Sequence, residues 1–332
     1  MTEKSAMHDL FKRLRKIGFD PDFLRRAVLP DWWEDSLASV AANRALAEAA
    51  IARHLGLDMA QLRNAKAALT VPQLAYARLK RNKNIEPADV APAMYVAQHA
   101  ADLVAKNLDR IPKFTQRLSS GEVRKAILKS HTHCDLASLL DFCWAAGVAV
   151  IHVKGLPEKT KKIDGMALFC GSTPVIVLAS AKDSPPWLAF HLAHELGHIL
   201  LGHVKEGMGP WVDGSIDSKG EDKNETEADE FACEVLTGQR RMSFKPTLEM
   251  TAEKLAVAVK AYGQKHGISA GIVTLFYGRS ANRWGPAQIA LKKLGEDHGA
   301  HEQIDRALAT KLVFDQMPES SARFLSVLKE AA

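Results

Sequence analysis

His194-Glu195-Leu196-Gly197-His198 is the stretch on which the reading of this chain turns. Positions i and i+4 of a helix share one face, so His194 and His198 can aim their imidazoles at one point. Glu195 follows His194, turned about 100° around the axis, within reach of a water at that point without taking a ligand's place. Two nitrogen donors, a third ligand and one open position are how a catalytic zinc is held; a structural zinc closes all four. The flanks predict a helix. Ser184-Pro185-Pro186 is an N-cap followed by proline in the first turn. Trp187, Leu188, Leu192, Leu196, Ile199 and Leu200 then recur at helical spacing up to Gly202. Such a helix is apolar nearly all round, which predicts burial. Two buried histidines and a buried glutamate are costly without partners. The competing reading is a core helix whose histidines are simply hydrogen-bonded.

The third ligand is sought in an acidic run holding Glu221, Asp222, Glu225, Glu227, Asp229 and Glu230. Most members of such a run belong to a solvated face. Glu225 and Asp229 are four apart, so Glu225 can bind the metal while Asp229 accepts a hydrogen bond from a ligand histidine. Asn224 and Glu227 have the spacing of an N-cap and its capping-box partner, which gives Glu227 a structural role. Glu225 is the expected ligand and Glu227 the alternative. The helix continues through Phe231, Ala232, Val235 and Leu236 to Gly238.

The segment from Pro174 to Leu236 resembles the ImmA/IrrE family of zinc metallopeptidases. The resemblance lies in the strand Pro174-Val175-Ile176-Val177-Leu178, the helix with its two histidines, and the Glu-x-Glu-Ala-Asp-x-Phe-Ala segment from Glu225 to Ala232. It extends upstream through Leu139-Leu140, Trp144, Gly147-Val148 and Gly165-Met166-Ala167. Many relatives close the second helix with Leu-Met-Pro where this chain has Leu236-Thr237-Gly238, a departure at the helix end and away from the metal ligands. The resemblance implies a gluzincin-type site with zinc on His194, His198 and Glu225, Asp229 behind a histidine, and Glu195 as general base. It implies that Thr173–Leu178 walls the cleft, its free edge pairing with a substrate backbone near Val175 and Val177. It also implies a substrate: a helix-turn-helix repressor cut at a specific site, releasing genes of a mobile element or a stress response.

Composition sets the frame. Of 332 residues, 47% are hydrophobic and 25% charged, the balance of a soluble globular protein of two or three modules. Met1 to Lys16 is charged and lacks an apolar run, so no signal peptide is expected. No apolar stretch reaches the roughly 18 residues that span a bilayer. Cys134, Cys143, Cys170 and Cys233 show no C-x-x-C spacing, so disulfides and a thiolate metal site are not expected. A cytoplasmic protein without membrane contact is the expectation. Residues 1–130 hold 22 Lys+Arg against 14 Asp+Glu, while the rest of the chain is mildly acidic. That asymmetry suggests DNA or an acidic partner for the first part, beside the plainer reading of a solvated helical surface.

Three regions follow from the pattern. Residues 1–130 read as Ala-rich helices broken by Pro30, Pro72, Pro87 and Pro112. Within them, Ala49 to Leu57 followed by Asp58 and Met59–Asn64 resembles a helix-turn-helix. Trp32-Trp33 are expected to pack the first helices together. Residues 131–240 form the peptidase region: a helix near Leu136–Ala146, then short strands at Gly147–Val153, Ile163–Cys170 and Thr173–Ala179, the last two joined by a Gly171-Ser172 hairpin. Val204–Lys223 is long enough to overhang the cleft, where Trp211 and Asp213 could touch substrate, the alternative being a plain surface loop. Residues 241–332 return to helices. The expected fold class is α+β, predominantly helical, with a small antiparallel sheet packed on the metal-binding helix of a zincin-like domain.

The implied chemistry is peptide hydrolysis by a zinc-activated water with Glu195 as the base. His191, His203, Tyr262, His266 and Tyr277 are candidates for a further donor to the oxyanion; His191 as a fourth protein ligand would close the site. A second reading, from another class, is a DNA-binding or antitoxin-like regulator whose zincin domain is regulatory or inactive.

Overall fold

The computed structural model describes residues 3–70, 78–79, 87–109, 111–115, 117–157, 163–213, 223–245 and 250–330. Pro72, Glu221, Asp222 and much of the segment expected to overhang the cleft lie outside that set, as does the side chain of Asp213.

The chain opens with α1 (Glu3–Lys16), a short α2 (Pro21–Phe23) running into a π-helical turn at Leu24–Val28, a 3-10 turn at Asp35–Ser39, α3 (Ala41–Leu55) and α4 (Met59–Arg63). Asp58 caps α4 by accepting the amide of Gln61. Gly56 ends α3 with φ +61°, and a Cβ there would strike the ring of Tyr95. α4 is only five residues long, and Arg13 donates to the carbonyls of Gln61, Leu62 and Ala67 at its end. α3, the turn at Gly56 and α4 fill the segment expected to form a helix-turn-helix, the second helix being short.

After β1 (Arg78–Leu79) and α5 (Pro87–Lys106) come α6 (Ser120–Ile127) and α7 (Leu136–Ala145). Capping boxes start the last two, Ser119 with Glu122 and Asp135 with Ser138. The remaining order is β2 (Ala149–His152), β3 (Gly165–Cys170), β4 (Thr173–Leu178), α8 (Pro185–Leu200), β5 (Trp211–Asp213), α9 (Lys223–Thr237), α10 (Ala252–His266), α11 (Ala270–Ala281), α12 (Trp284–Leu294), α13 (Ala300–Ala309) and α14 (Glu319–Lys329). The fold is α+β, as expected, but the sheet is mixed, with strand order β1-β5-β3-β4-β2. The Gly171-Ser172 turn makes β3 and β4 the expected antiparallel hairpin. β2 then pairs with β4, not β3, and does so in parallel. Strand directions are those of a simple meander; only the seats of β3 and β4 beside β2 are exchanged, and that turns one pairing parallel.

The strand order corrects a second expectation. β4 has a neighbour on each side, and Val175 and Val177 are fully buried. Their strand offers no open edge to a substrate. A strand's own residues specify which face is apolar but not which strands flank it.

α8 lies at the centre of the peptidase region, packed among β3, β4, α7, α9 and α11. Every residue from Pro186 to Leu200 is buried, as the all-round apolar pattern predicts. Gly197 sits against Phe231 of α9, where a Cβ would lie 3.2 Å from the ring; its absence lets the two helices approach closely. α13 packs on β2, and α14 packs on α5 and the Leu24–Val28 turn. One apolar core runs from Met7 to Leu328, across the changes of sequence pattern at residues 130 and 240. Among the described residues, no helix is long and apolar enough to cross a membrane, and all four cysteines are free thiols.

Candidate metal centre

α8 presents His194 and His198 one turn apart, and their Nε2 atoms are 3.0 Å from each other. α9, drawn close at Gly197, brings Glu225 across. One carboxylate oxygen is 3.5 Å from His194 Nε2 and the other 3.5 Å from His198 Nε2. Among the described residues, these three form the group whose donor atoms converge within 4.8 Å. Zinc–ligand bonds of about 2.0–2.1 Å at tetrahedral angles put ligand atoms roughly 3.3 Å apart. The observed separations are those of a site a zinc ion fits without rearrangement.

Each of the three side chains is also held from behind. His194 Nδ1 is 3.0 Å from Asp229 Oδ1, and Arg279 donates to Asp229 Oδ2 at 2.7 Å. Burial opposes charge on Asp229, but the hydrogen bond and charge of His194, with those of Arg279, outweigh it and hold the carboxyl well below its usual range. An ionised Asp229 accepts the Nδ1–H of His194 and leaves the Nε2 lone pair facing the cluster. His198 Nδ1 lies 2.9 Å from His203 Nδ1, and His203 Nε2 lies 3.2 Å from Glu227 Oε2. One proton arrangement serves the whole chain: His198 donates to His203, His203 donates to Glu227, and His198 Nε2 keeps its lone pair. Glu225 Oε1 accepts the indole N–H of Trp211 at 2.7 Å. That indole also stacks on His198, with ring centroids 4.7 Å apart at 28°.

Glu195 is fully buried beside the cluster. Its carboxylate reaches over β3 at Gly165, where a Cβ would stand 2.3 Å from Oε1. Glycine at this position makes room for the carboxylate.

The residues singled out in the sequence are thus only partly brought together. His194, Glu195, His198, Glu225 and Asp229 share one site. Asn224 lies inside α9 and not at its cap, and Glu227 bonds His203 instead of completing a capping box. His203, one of the candidate oxyanion donors, is tied to the back of His198 through its Nδ1 and to Glu227 through its Nε2. Tyr262 stacks on His266, and both Tyr262 and Tyr277 face Phe244. His191 is buried in α8 outside the converging set. Arg279 stands fifty residues from Asp229, and no local sequence signal marks it.

Residues 143–261 match the family model of peptidase family M78, described as an IrrE N-terminal-like domain. The match covers the three residues of the cluster, Glu195 and Asp229, and supports the ImmA/IrrE resemblance carried by the sequence over this segment. A zinc-metallopeptidase type of fold comes with it. No curated protein matches the chain.

Proposed function

We propose that this protein is a zinc-dependent endopeptidase in which His194, His198 and Glu225 hold the metal and Glu195 is the general base. The observation that carries the reading is the convergence of three buried donor atoms, each fixed from behind, next to a buried carboxylate that no ligand role claims. Zinc bound there supplies a Lewis acid that lowers the pKa of a water toward about 7 and polarises a carbonyl. The protein's part is positioning and proton transfer. Glu195 accepts the proton of the attacking water at its carboxylate and returns it to the departing amine nitrogen as the C–N bond breaks. Its burial beside Gly165 fixes the carboxylate in one place.

A DNA-binding repressor cut at one site is the substrate the family resemblance suggests, with this chain acting on protein and not on DNA. Glu195→Gln is expected to keep one zinc per chain and lose cleavage; cleavage retained by that variant would remove Glu195 from the mechanism. Where a helix-turn-helix repressor is encoded beside it, co-incubation with the zinc-loaded protein is expected to yield two fragments from a single scissile bond. An intact repressor, with DNA bound instead by this chain in a gel shift, would favour the regulator reading.

A further inference from the structure

β3 is the strand that faces the reacting end of the site, because the main chain at Gly165 lies directly against Glu195. A peptide laid antiparallel along that side of β3 passes over Glu195 and the metal ligands, in the strand-addition mode by which sheets bind extended chains. That place is taken by the protein itself. β5 pairs antiparallel with β3 in the register Ala167↔Trp211, Met166↔Val212 and Gly165↔Asp213. Trp211 covers the cluster, its ring on His198 and its N–H on Glu225. With it in place, His194, Glu195, His198 and Glu225 are each at most 3% exposed. Attack on a carbonyl requires approach to about 3–3.5 Å, and a carbonyl of another chain cannot come that near.

We infer that Trp211–Asp213 is an internal occupant of the substrate-strand position, so that the site is closed in this conformation and a substrate segment enters by replacing β5 along β3. The inference rests on the peptidase reading. The occupant also indicates what replaces it: an extended segment carrying a bulky apolar side chain at the register of Trp211. Among the described residues β5 exchanges only three residue pairs with β3 and two with its outer neighbour β1, so little ladder has to be given up in a replacement. An incoming strand restores the ladder that β5 gives up on β3.

The experiment uses the full-length zinc-loaded protein, a pool of unstructured fluorogenic peptides, and amide hydrogen exchange. Trp211→Ala is expected to raise kcat/KM on the pool at least tenfold and to speed exchange of the Gly165–Ala167 amides at least tenfold, leaving Val175–Leu178 unchanged. Trp211→Phe keeps the ring but deletes the N–H behind Glu225, so it is expected to bind zinc more weakly while exchange of the Gly165–Ala167 amides stays within threefold of wild type. If both variants retain zinc and cut more slowly than wild type, Trp211 is a positioning partner of Glu225 and the occupant reading is overturned. If no form cuts any peptide, the peptidase reading fails, and exchange alone decides: faster β3 exchange in Trp211→Ala supports the occupant, unchanged exchange overturns it. Should Trp211→Ala not fold, wild-type exchange decides. β5 amides protected as strongly as those of β4 overturn the inference, and β5 amides exchanging at least a hundredfold faster support it.

Discussion

His198 and His203 meet Nδ1 to Nδ1 at 2.9 Å, and the far nitrogen of His203 reaches Glu227. A ligand histidine thus leans on a second histidine, which leans on a carboxylate. Removing the middle member leaves His198 free to rotate and to hold its proton on either nitrogen. His203→Phe is therefore expected to weaken zinc binding about 10- to 100-fold, the usual cost of losing a partner behind a metal ligand. Competition with a chromophoric chelator measures it. An unchanged affinity would show that packing alone orients His198.

Glu225 and Glu227 lie two residues apart, and the geometry separates their roles. Glu225→Gln is expected to abolish stoichiometric zinc binding, because the site loses its one charged ligand. Glu227→Gln should retain one zinc per chain with a modest loss of affinity, since it touches His203 and not the cluster. Metal analysis of the two purified variants, side by side, checks the assignment; the reverse pattern would exchange them.

Gly165→Ala tests how tightly Glu195 is placed. The added methyl would stand 2.3 Å from Oε1, so the carboxylate must move. A shift of about 1 Å at a reacting group costs on the order of 100-fold in rate. The expected result is zinc content equal to wild type with kcat lowered by about that factor. Loss of zinc together with activity would point to general damage of the site.

His54 gives a stability prediction far from the metal. It is buried between α3, α5 and α14, stacked on Phe324 at 4.7 Å and edge-on to His99. Burial first, then the charges of His99, Arg53 and Arg323, push it down to about 4. The folded pKa lies below the unfolded value, so the neutral form's contribution is complete above about pH 6.5 and is lost as pH falls toward 4. The full difference is about 3 kcal/mol. Urea unfolding at pH 7.5 and pH 4.5 should show a loss of at least this order, and His54→Phe should reduce it by about that amount. An equal acid limb in that variant would place the titration elsewhere, with His152, pushed down to about 3 by burial and by His301, the first to examine.

Much of the site could be read without coordinates because it is written in helical periodicity. Two histidines four apart on an apolar helix, and two carboxylates four apart on the next, need only the geometry of one turn each. What escaped were partners that local spacing does not encode. Trp211 stood out only as a residue near the cleft, His203 only as a histidine near a helix end, and Arg279 not at all. Glu227 looked like a cap because its spacing from Asn224 is right, but α9 begins before Asn224 and the carboxylate turns to His203.

The chain's own order of residues determined that His194 and His198 share one face of α8, that Glu225 and Asp229 share one face of α9, and that Gly171 turns a hairpin. Each depends on backbone geometry within a few residues. Tertiary structure decided which strand faces Glu195, which strand lies beside it, and what stands behind each ligand. Those pairings join residues tens of positions apart, and they are settled by burial and hydrogen-bond satisfaction over the whole core, which no short window of sequence contains.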